Sequence, residues 1–304
     1  MMRYTLIPQP RCNMCGSSER KLLGLRLNRS QGFRPRGVDG IAVSVKKCLD
    51  CELIYADPQP VPLNVADHYD VNPTEYFAEG YFEEDAGSFE VATASRLLDG
   101  SRLRALDIGA GVGKTMRALA SAGWDVYGLE PSQSFVDYAV RKGGLQADRI
   151  RPLTVEEADF EPGFFDLITF GAVLEHLYSP SEMLQRALLW VRPGGIIHAE
   201  VPSSRYAVPK FLNAYFRVWG TSYVSHLSPM HPPYHLYEFS HRSFEKNGET
   251  MGYHLASFHY WAGTMPNPLH RILAPLMERT GSGMQLTVWL RRNLENDLAA
   301  PTAT

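Results

Sequence analysis

Residues 105–115, ALDIGAGVGKT, form the segment whose residue types and spacing point most directly to ligand binding. A P-loop needs a glycine five residues before its Gly-Lys pair, and Ile108 occupies that position. A dinucleotide-binding loop needs its third glycine three residues after the second, where this chain has Lys114. Both alternatives therefore fail on spacing. The pattern that remains, a candidate for binding S-adenosylmethionine, is Asp107, Gly109, Gly111 and Gly113.

Two acidic residues follow apolar runs that predict neighbouring parallel strands. Asp107 lies at the end of the first run, and Glu130 comes directly after the second. In a doubly wound sheet, ligands bind beyond the carboxyl ends of the strands. A carboxylate at the first strand end can face the ammonium of a methionine group, and one at the second can accept hydrogen bonds from both ribose hydroxyls. The alternative is that both acids only cap helices.

All four cysteines lie in two C-x-x-C pairs, Cys12 with Cys15 and Cys48 with Cys51, separated by 32 residues. Each pair places two thiolates at one tight turn, which suits tetrahedral zinc. Four thiolates complete the shell and leave no position for water, so the expected zinc is structural. The alternative is two disulfides or unpaired thiols. Because the N-terminal sequence shows no secretion signal, we expect a cytoplasmic, reducing compartment, which disfavours disulfides.

Alternating helix and strand patterns beyond residue 89 predict the elements that position these residues, and they indicate a parallel sheet flanked by helices. The sequence SPSE at 179–182 predicts a capping box with proline at the first helical position. The predicted helices are 92–98, 114–122, 135–142, 180–192 and 267–279. The predicted strands are 105–108, 126–129, 150–155, 165–170, 196–201, 253–260 and 285–290, with a ribbon hairpin of strands 22–27 and 41–45.

Charge and composition divide the chain into modules. Residues 1–60 hold ten Lys/Arg against five Asp/Glu, so a basic zinc-ribbon module precedes an acidic body. A connector rich in Pro, Tyr and acids, 61–88, leads to the main domain at 89–294, and the tail at 295–304 is expected to be disordered. The apolar runs are too short to span a bilayer, so we expect no membrane partner.

Four motifs, in this order, resemble the class I S-adenosylmethionine-dependent methyltransferases: LDIGAGVGKT, VYGLEPS, FFDLITFGAVLEHL and VRPGGIIHAEVP. The resemblance covers about residues 90–261 and implies an α/β fold with a Rossmann-like seven-stranded sheet. It implies that the three spaced glycines line the methionine part of the cofactor and that Glu130 binds its ribose. The likeness also places Val155 and Glu156 at the adenine edge of the cofactor, and Gly171 and Ala172 near its sulfonium.

The zinc ribbon, together with HLYEFSHRSF at 235–244, is similar to zinc-ribbon methyltransferases that act on sugars and other small molecules. That group includes sugar C-methyltransferases of antibiotic pathways, which carry an additional C-terminal domain. Only a short stretch follows the sixth predicted strand here. The likeness therefore favours methylation of oxygen over C-methylation of a nucleotide-linked sugar.

A neutral hydroxyl acceptor needs a base near the sulfonium, and histidine is the usual base near neutral pH. His176 follows the predicted fourth strand, and residues 203–244 are expected to form a lid over the acceptor. In the sugar enzymes that the chain resembles, a Tyr-His step supplies catalytic groups, and Tyr234-His235 matches it, with His235 as general base. The alternative is that these histidines only pack, or position an acceptor that is already ionised. Histidines of the segment that rank lower are His226, His231 and His241.

The sequence thus predicts transfer of a methyl group from S-adenosylmethionine to an oxygen of a sugar or secondary metabolite, with a small-molecule acceptor as the partner. C- or N-methylation of a small molecule is an alternative, and so is an RNA methyltransferase guided by the basic ribbon. A third is a non-catalytic scaffold that binds the cofactor. The acidic body weighs against nucleic acid, as does the stretch at 171–174, GAVL, which has no side chain suited to hold an exocyclic amine.

Overall fold

The structure, a computed structural model, describes residues 4–26, 43–63, 73, 88–100, 102–227, 235–263 and 268–294. Within these ranges the chain forms three β-sheets and seven α-helices. None of the helices described is both long enough and apolar enough to cross a bilayer.

The N-terminal region contributes five strands, β1 (Tyr4–Ile7), β2 (Arg20–Arg26), β3 (Ser44–Cys48), β4 (Ile54–Asp57) and β5 (Gln59–Pro62). β1 and β5 pair antiparallel as a separate small sheet. β2, β3 and β4 form an antiparallel meander, so the hairpin expected for the ribbon is present. Its second strand continues to Cys48, three residues beyond the predicted end, while residues 41 and 42 lie outside the described part of the chain.

The largest sheet takes seven strands: β6 (Arg104–Ile108), β7 (Asp125–Leu129), β8 (Ile150–Arg151), β9 (Phe165–Gly171), β10 (Val191–Pro202), β13 (Tyr253–Trp261) and β14 (Gln285–Arg292). Their order is β13-β14-β10-β9-β6-β7-β8, with β14 antiparallel to both neighbours and the other pairs parallel. The expected Rossmann-like seven-stranded α/β fold is confirmed. The strand order reverses at β6, and such a switch point places a binding crevice at the carboxyl ends of the central strands.

Two further strands, β11 (Tyr223–Val224) and β12 (Tyr237–Glu238), extend the ribbon meander at both edges. The order of this third sheet is β11-β2-β3-β4-β12. β11 runs parallel to β2, and β12 runs antiparallel to β4. Residues of the expected lid are therefore part of the same sheet as the ribbon, an arrangement that the sequence patterns did not predict.

The seven helices are α1 (Ser88–Leu97), α2 (Lys114–Ser121), α3 (Gln133–Arg141), α4 (Pro180–Trp190), α5 (Ala207–Val218), α6 (His241–Met251) and α7 (Pro268–Arg279). Proline begins α4 as predicted, but the predicted capping box is wrong, because the Ser179 side chain makes no capping hydrogen bond. A capping box does start α6, where Ser240 and Ser243 cap each other's backbone N–H groups. The left-handed Gly252, with φ of 82°, ends that helix.

The third strand of the sheet is shorter than the sequence predicted. It ends at Arg151 rather than residue 155, because Pro152 has no N–H to continue the ladder. The helix predicted to reach residue 192 ends at Trp190, since Val191 adopts extended backbone angles and begins β10. Helices α5 and α6, which lie between β10 and β13, were not among the predicted elements.

The centre of the large sheet is built from buried apolar residues of neighbouring strands. Leu106, Ile168 and Ile197 lie in register across β6, β9 and β10, and each is fully buried. Burial of one such side chain contributes roughly 1.5–3 kcal/mol. Neighbouring Ala105 on the opposite face is also fully buried, as expected for parallel strands covered by helices on both sides.

Candidate active site

The glycine loop between β6 and α2 has the backbone that its sequence requires. Gly109, Gly111 and Gly113 have φ values of 70°, 55° and 76°, a region that residues with a Cβ rarely adopt. A Cβ on Gly109 would lie 2.4 Å from Cγ2 of Val173, whereas one on Gly111 would meet no atom within 4 Å. The loop therefore turns tightly at its first glycine and offers open backbone at its second.

Asp107 lies at the carboxyl end of β6, buried beneath this loop with 4% of its surface exposed. Its Oδ1 accepts a 2.6 Å hydrogen bond from the Thr169 hydroxyl on β9. Burial raises the pKa of the carboxyl from 3.8 to about 7, and the nearby charge of Glu130 adds to that rise. A cation bound at this position would stabilise the ionised form.

Glu130 follows β7 and is also buried, 7% exposed. Its Oε2 accepts a 2.8 Å hydrogen bond from the Gly111 N–H, and its Oε1 accepts a 2.9 Å bond from the Ser132 N–H. Burial raises the pKa of this carboxyl, against the lowering effect of the two N–H donors. The carboxylate thus lies directly beside the glycine loop, within reach of a ligand that the loop would hold.

The other expected cofactor residues lie along the same edge of the sheet. Val155 is buried after β8, and the adjoining Glu156 is exposed. Gly171 ends β9 with open space where a Cβ would be, and Ala172 follows with a φ of 54° and an N–H donated to the Glu200 carbonyl at 3.0 Å. Two buried carboxyls, a glycine loop and Cβ-free backbone therefore lie at one edge of the sheet, and their chemistry is compatible with the ammonium and ribose hydroxyls of S-adenosylmethionine.

His176 and His235 come together at the carboxyl end of β9, although 58 residues separate them in the chain. Their ring centroids are 4.8 Å apart and edge to face. Between them lies Glu175, whose Oε1 is 3.9 Å from Nε2 of His176 and 4.0 Å from Nε2 of His235. These three side chains, named here the histidine cluster, include both histidines that the sequence singled out. Tyr234 and His231 lie outside the described residues.

Glu175 is a member of the histidine cluster that the sequence reasoning missed. Complete burial raises the pKa of its carboxyl to about 8, and the charge of Glu200 adds to the rise. Among the described residues its Oε2 has no hydrogen-bond partner. The signal was present in the sequence, because an acid directly before His176, after a strand of a parallel sheet, must lie at the ligand-binding edge.

Two other histidines of the segment lie away from the histidine cluster. His226 is buried, and its Nδ1 lies 2.7 Å from Oε2 of Glu238. His241 begins α6, where its Nδ1 lies 2.9 Å from the Tyr260 hydroxyl and its ring stacks on Phe258 at 4.7 Å. Burial lowers the pKa of His241. His226 and His241 are thus each held by a polar partner outside the histidine cluster.

The four cysteines form one cluster at the start of the ribbon, with all four sulfur atoms within 4.8 Å of one another. The sulfurs of Cys12 and Cys51 are 3.4 Å apart, and those of Cys15 and Cys48 are 3.6 Å apart. Zn–S bonds of about 2.3 Å in a tetrahedron require sulfur separations of about 3.8 Å. The cysteines are free thiols rather than disulfides. Their geometry therefore fits a four-thiolate metal site.

A family model described as a methyltransferase domain matches residues 77–257. The chain belongs to this family. A ubiquinone biosynthesis O-methyltransferase of Methylococcus capsulatus is 34% identical over 98 residues, which are 31% of this chain and 41% of that protein. The chain spans about half the length of the curated relatives that it matches.

Solved structures of methyltransferases share the fold. The putative methyltransferase in a complex with the Haloferax volcanii Trm112 methyltransferase activator has a TM-score of 0.53 at 16% identity, covering 77% of this chain and 99% of that one. A Thermotoga maritima S-adenosylmethionine-dependent methyltransferase, described as a possible histamine N-methyltransferase, has a TM-score of 0.51 at 18% identity, covering 76% and 100%. These likenesses show that the seven-stranded sheet is the class I methyltransferase fold.

Proposed function

We propose that this chain transfers the methyl group of S-adenosylmethionine to an oxygen of a small molecule, such as a hydroxyl of a sugar or secondary metabolite. The observation that carries the proposal is the histidine cluster, which provides two imidazoles at the same sheet edge as the glycine loop. The naming of the curated relatives as O-methyltransferases supports oxygen as the acceptor atom.

Each cofactor role is proposed for a residue with suitable chemistry. S-adenosylmethionine, when bound, supplies an electrophilic methyl group on its sulfonium. Asp107 would pair with the methionine ammonium from beneath the loop, and Glu130 would accept hydrogen bonds from the ribose hydroxyls. The remaining proposed contacts, to the methionine part, the adenine edge and the sulfonium region, involve Gly109, Gly111, Gly113, Val155, Glu156, Gly171 and Ala172.

His235 is the proposed general base, with His176 beside it. The His235 imidazole would accept the hydroxyl proton while the acceptor oxygen takes the methyl group, whose bond to sulfur would break with its electrons left on sulfur. Glu175, with its raised pKa of about 8, is mostly neutral at pH 7. It therefore places little negative charge beside the imidazoles, and a negative charge there would favour their protonated form, which cannot accept a proton. Tyr234 remains a proposed catalytic residue from the sequence.

The cysteine cluster is proposed to hold one structural zinc ion through Cys12, Cys15, Cys48 and Cys51. Burial raises the pKa of the Cys15 thiol, so a cation is needed to stabilise four thiolates in this volume. Four sulfur ligands close the coordination shell, which gives the metal no position for substrate.

The test is a radiolabelled methyl-transfer assay against a panel of phenols, free sugars, nucleotide-linked sugars and RNA. We expect transfer to a small hydroxyl compound, and we expect His235→Ala to lower kcat by about 100-fold or more while S-adenosylmethionine affinity is preserved. His254→Ala is the matched control, because His254 is an exposed histidine on β13 that contacts Asn293.

Two results would contradict the proposal. Labelling of RNA without labelling of any small molecule would show that the acceptor is RNA and not a small molecule. Equal turnover by His235→Ala and His254→Ala would remove His235 as the base, even if methyl transfer itself were observed.

A further inference from the structure

The ribbon contacts both ends of the segment that carries His235. At one end, the Leu25 N–H of β2 donates to the Ser222 carbonyl at 2.9 Å, just before β11. At the other, the Ala56 N–H of β4 donates to the Leu236 carbonyl at 3.0 Å, just before β12. These two hydrogen bonds lie on opposite edges of the meander formed by β2, β3 and β4. The width of the meander therefore sets the distance between the two ends of the segment.

Leu236 links the ribbon directly to the histidine cluster. Its carbonyl accepts from Ala56 of the ribbon, and its N–H donates a 2.7 Å hydrogen bond to the Glu175 carbonyl after β9. The residue next to His235 is therefore held from both sides. The next residue adds a side-chain bond, in which the Tyr237 hydroxyl donates to the Tyr178 carbonyl at 2.9 Å. These bonds therefore hold the backbone directly beside His235, whose ring contacts that of His176.

The two turns that carry the cysteines are anchored to helix α6 of the main domain. The Cys51 carbonyl accepts 2.9 Å hydrogen bonds from the hydroxyls of both Ser240 and Ser243, the capping residues of α6. In the first turn, the Met14 carbonyl accepts a 2.9 Å bond from the Asn247 side-chain amide. Both carbonyls belong to the two turns that a metal ion bound by the four sulfurs would hold together. Cys48 and Cys51 also flank the turn from which β4 emerges.

We propose that the occupied cysteine cluster is a positioning element of the active site: the metal fixes β4 and α6, and through them it places His235 against His176. The assignment of His235 as base rests on the proposed function. Without a cation, the two turns lose their cross-link, and β4 no longer holds β12 in register. The cofactor half of the site, built on β6 and β7, has no such dependence, so metal occupancy controls acceptor chemistry separately from cofactor binding.

The test compares full-length protein loaded with zinc and the same protein after chelation, by hydrogen exchange. We expect exchange in peptides covering 222–227 and 235–240 to accelerate by about tenfold or more without zinc, while β6 and β7 change by less than about twofold. Calorimetric affinity for S-adenosylmethionine should stay within about twofold between the two forms. Equal protection of 235–240 in both forms would overturn the proposal, and so would uniform loss of protection across β6, β7 and the lid segment.

A variant that keeps all four cysteines tests the same link without chelation. Ser243→Ala removes one of the two hydroxyls that bind the Cys51 carbonyl, and Lys246→Ala, on the exposed face of α6, is its control. With zinc bound, Ser243→Ala should lower kcat several-fold and change the NMR titration of the His235 imidazole, and Lys246→Ala should do neither. An unchanged His235 titration would overturn the positioning role. Because exchange and NMR need no acceptor, these outcomes stand apart from failure of the proposed methyl transfer.

Discussion

The buried carboxyl of Asp107 should make cofactor binding depend on pH. In the free protein its pKa is about 7, because burial opposes its ionisation. The ammonium of S-adenosylmethionine, an α-amino group with a pKa near 8, is almost fully protonated below pH 7 and about half protonated at pH 8. Pairing with that cation requires the carboxylate form. Binding below pH 7 must therefore release a proton, and affinity must fall as the pH falls.

The magnitude follows from the raised pKa. At pH 6 about one tenth of the Asp107 side chains are ionised before binding, and at pH 8 nearly all are ionised but about half of the ligand ammonium groups have lost their proton. The apparent affinity at pH 6 should therefore be about fivefold weaker than at pH 8, or about 1 kcal/mol. At pH 5 the loss relative to pH 8 should be about 50-fold. Calorimetry at each pH, in two buffers of different ionisation enthalpy, measures both the affinity and the number of protons released.

Variants separate Asp107 from other titrating groups. Asp107→Asn keeps the shape and removes the titration, so its affinity should be weak at pH 8 and nearly constant between pH 6 and pH 8. Asp125→Asn is the control, because Asp125 is partly exposed and pairs with Arg149 away from the loop. Wild-type affinity that stays constant from pH 5.5 to pH 8, or a slope that survives in Asp107→Asn, would refute the reasoning.

Three further predictions concern the other groups of the site. Glu130→Ala should weaken S-adenosylmethionine binding by about 10- to 100-fold in calorimetry, since two hydrogen bonds to a charged acceptor are lost, and unchanged affinity would exclude the ribose role. Metal analysis of protein purified without added metal should return about one zinc per chain, and chelation should lower the melting temperature; four reactive thiols in native, metal-free protein would exclude the zinc site. Because the folded-state pKa of Glu175 is raised above its unfolded value, ionisation favours unfolding, so the free energy of unfolding should fall as the pH rises from about 4.5 to 8. Glu175→Gln should remove that part of the slope in urea titrations, and an identical slope would show that Glu175 ionises freely when folded.

Local patterns in the sequence were sufficient to predict the main sheet. Strand β6, the glycine loop and α2 follow one another within eighteen residues, and each is signalled by a short apolar run, by glycine spacing or by helix-forming residues. Parallel strands at the centre of a covered sheet are nearly continuous apolar runs, which makes them easy to recognise. The positions of Asp107 and Glu130 could be predicted for the same reason, because their place at the ends of such runs fixes the edge of the sheet at which they lie.

The third sheet could not be predicted in this way. β11 and β12 are two residues long, too short for any alternation to be recognised. Their pairing with β2 and β4 depends on how the main domain folds between them, which no local pattern encodes. Glu175 differs, because its place at the end of a parallel strand could be read from the sequence, whereas its contact with His235 joins two distant parts of the chain that no local pattern relates.

The third sheet also determines the order in which the molecule can be completed during synthesis. The three strands of the meander are made before β11 and β12. The outer edges of β2 and β4 therefore stay unpaired until residues 223–238 have left the ribosome, when the core strands through β10 have already been made. Unpaired strand edges are templates for pairing with other chains. A ribbon expressed without the main domain would therefore expose two such edges and tend to self-associate, and translation that stalls before residue 223 would leave an aggregation-prone intermediate.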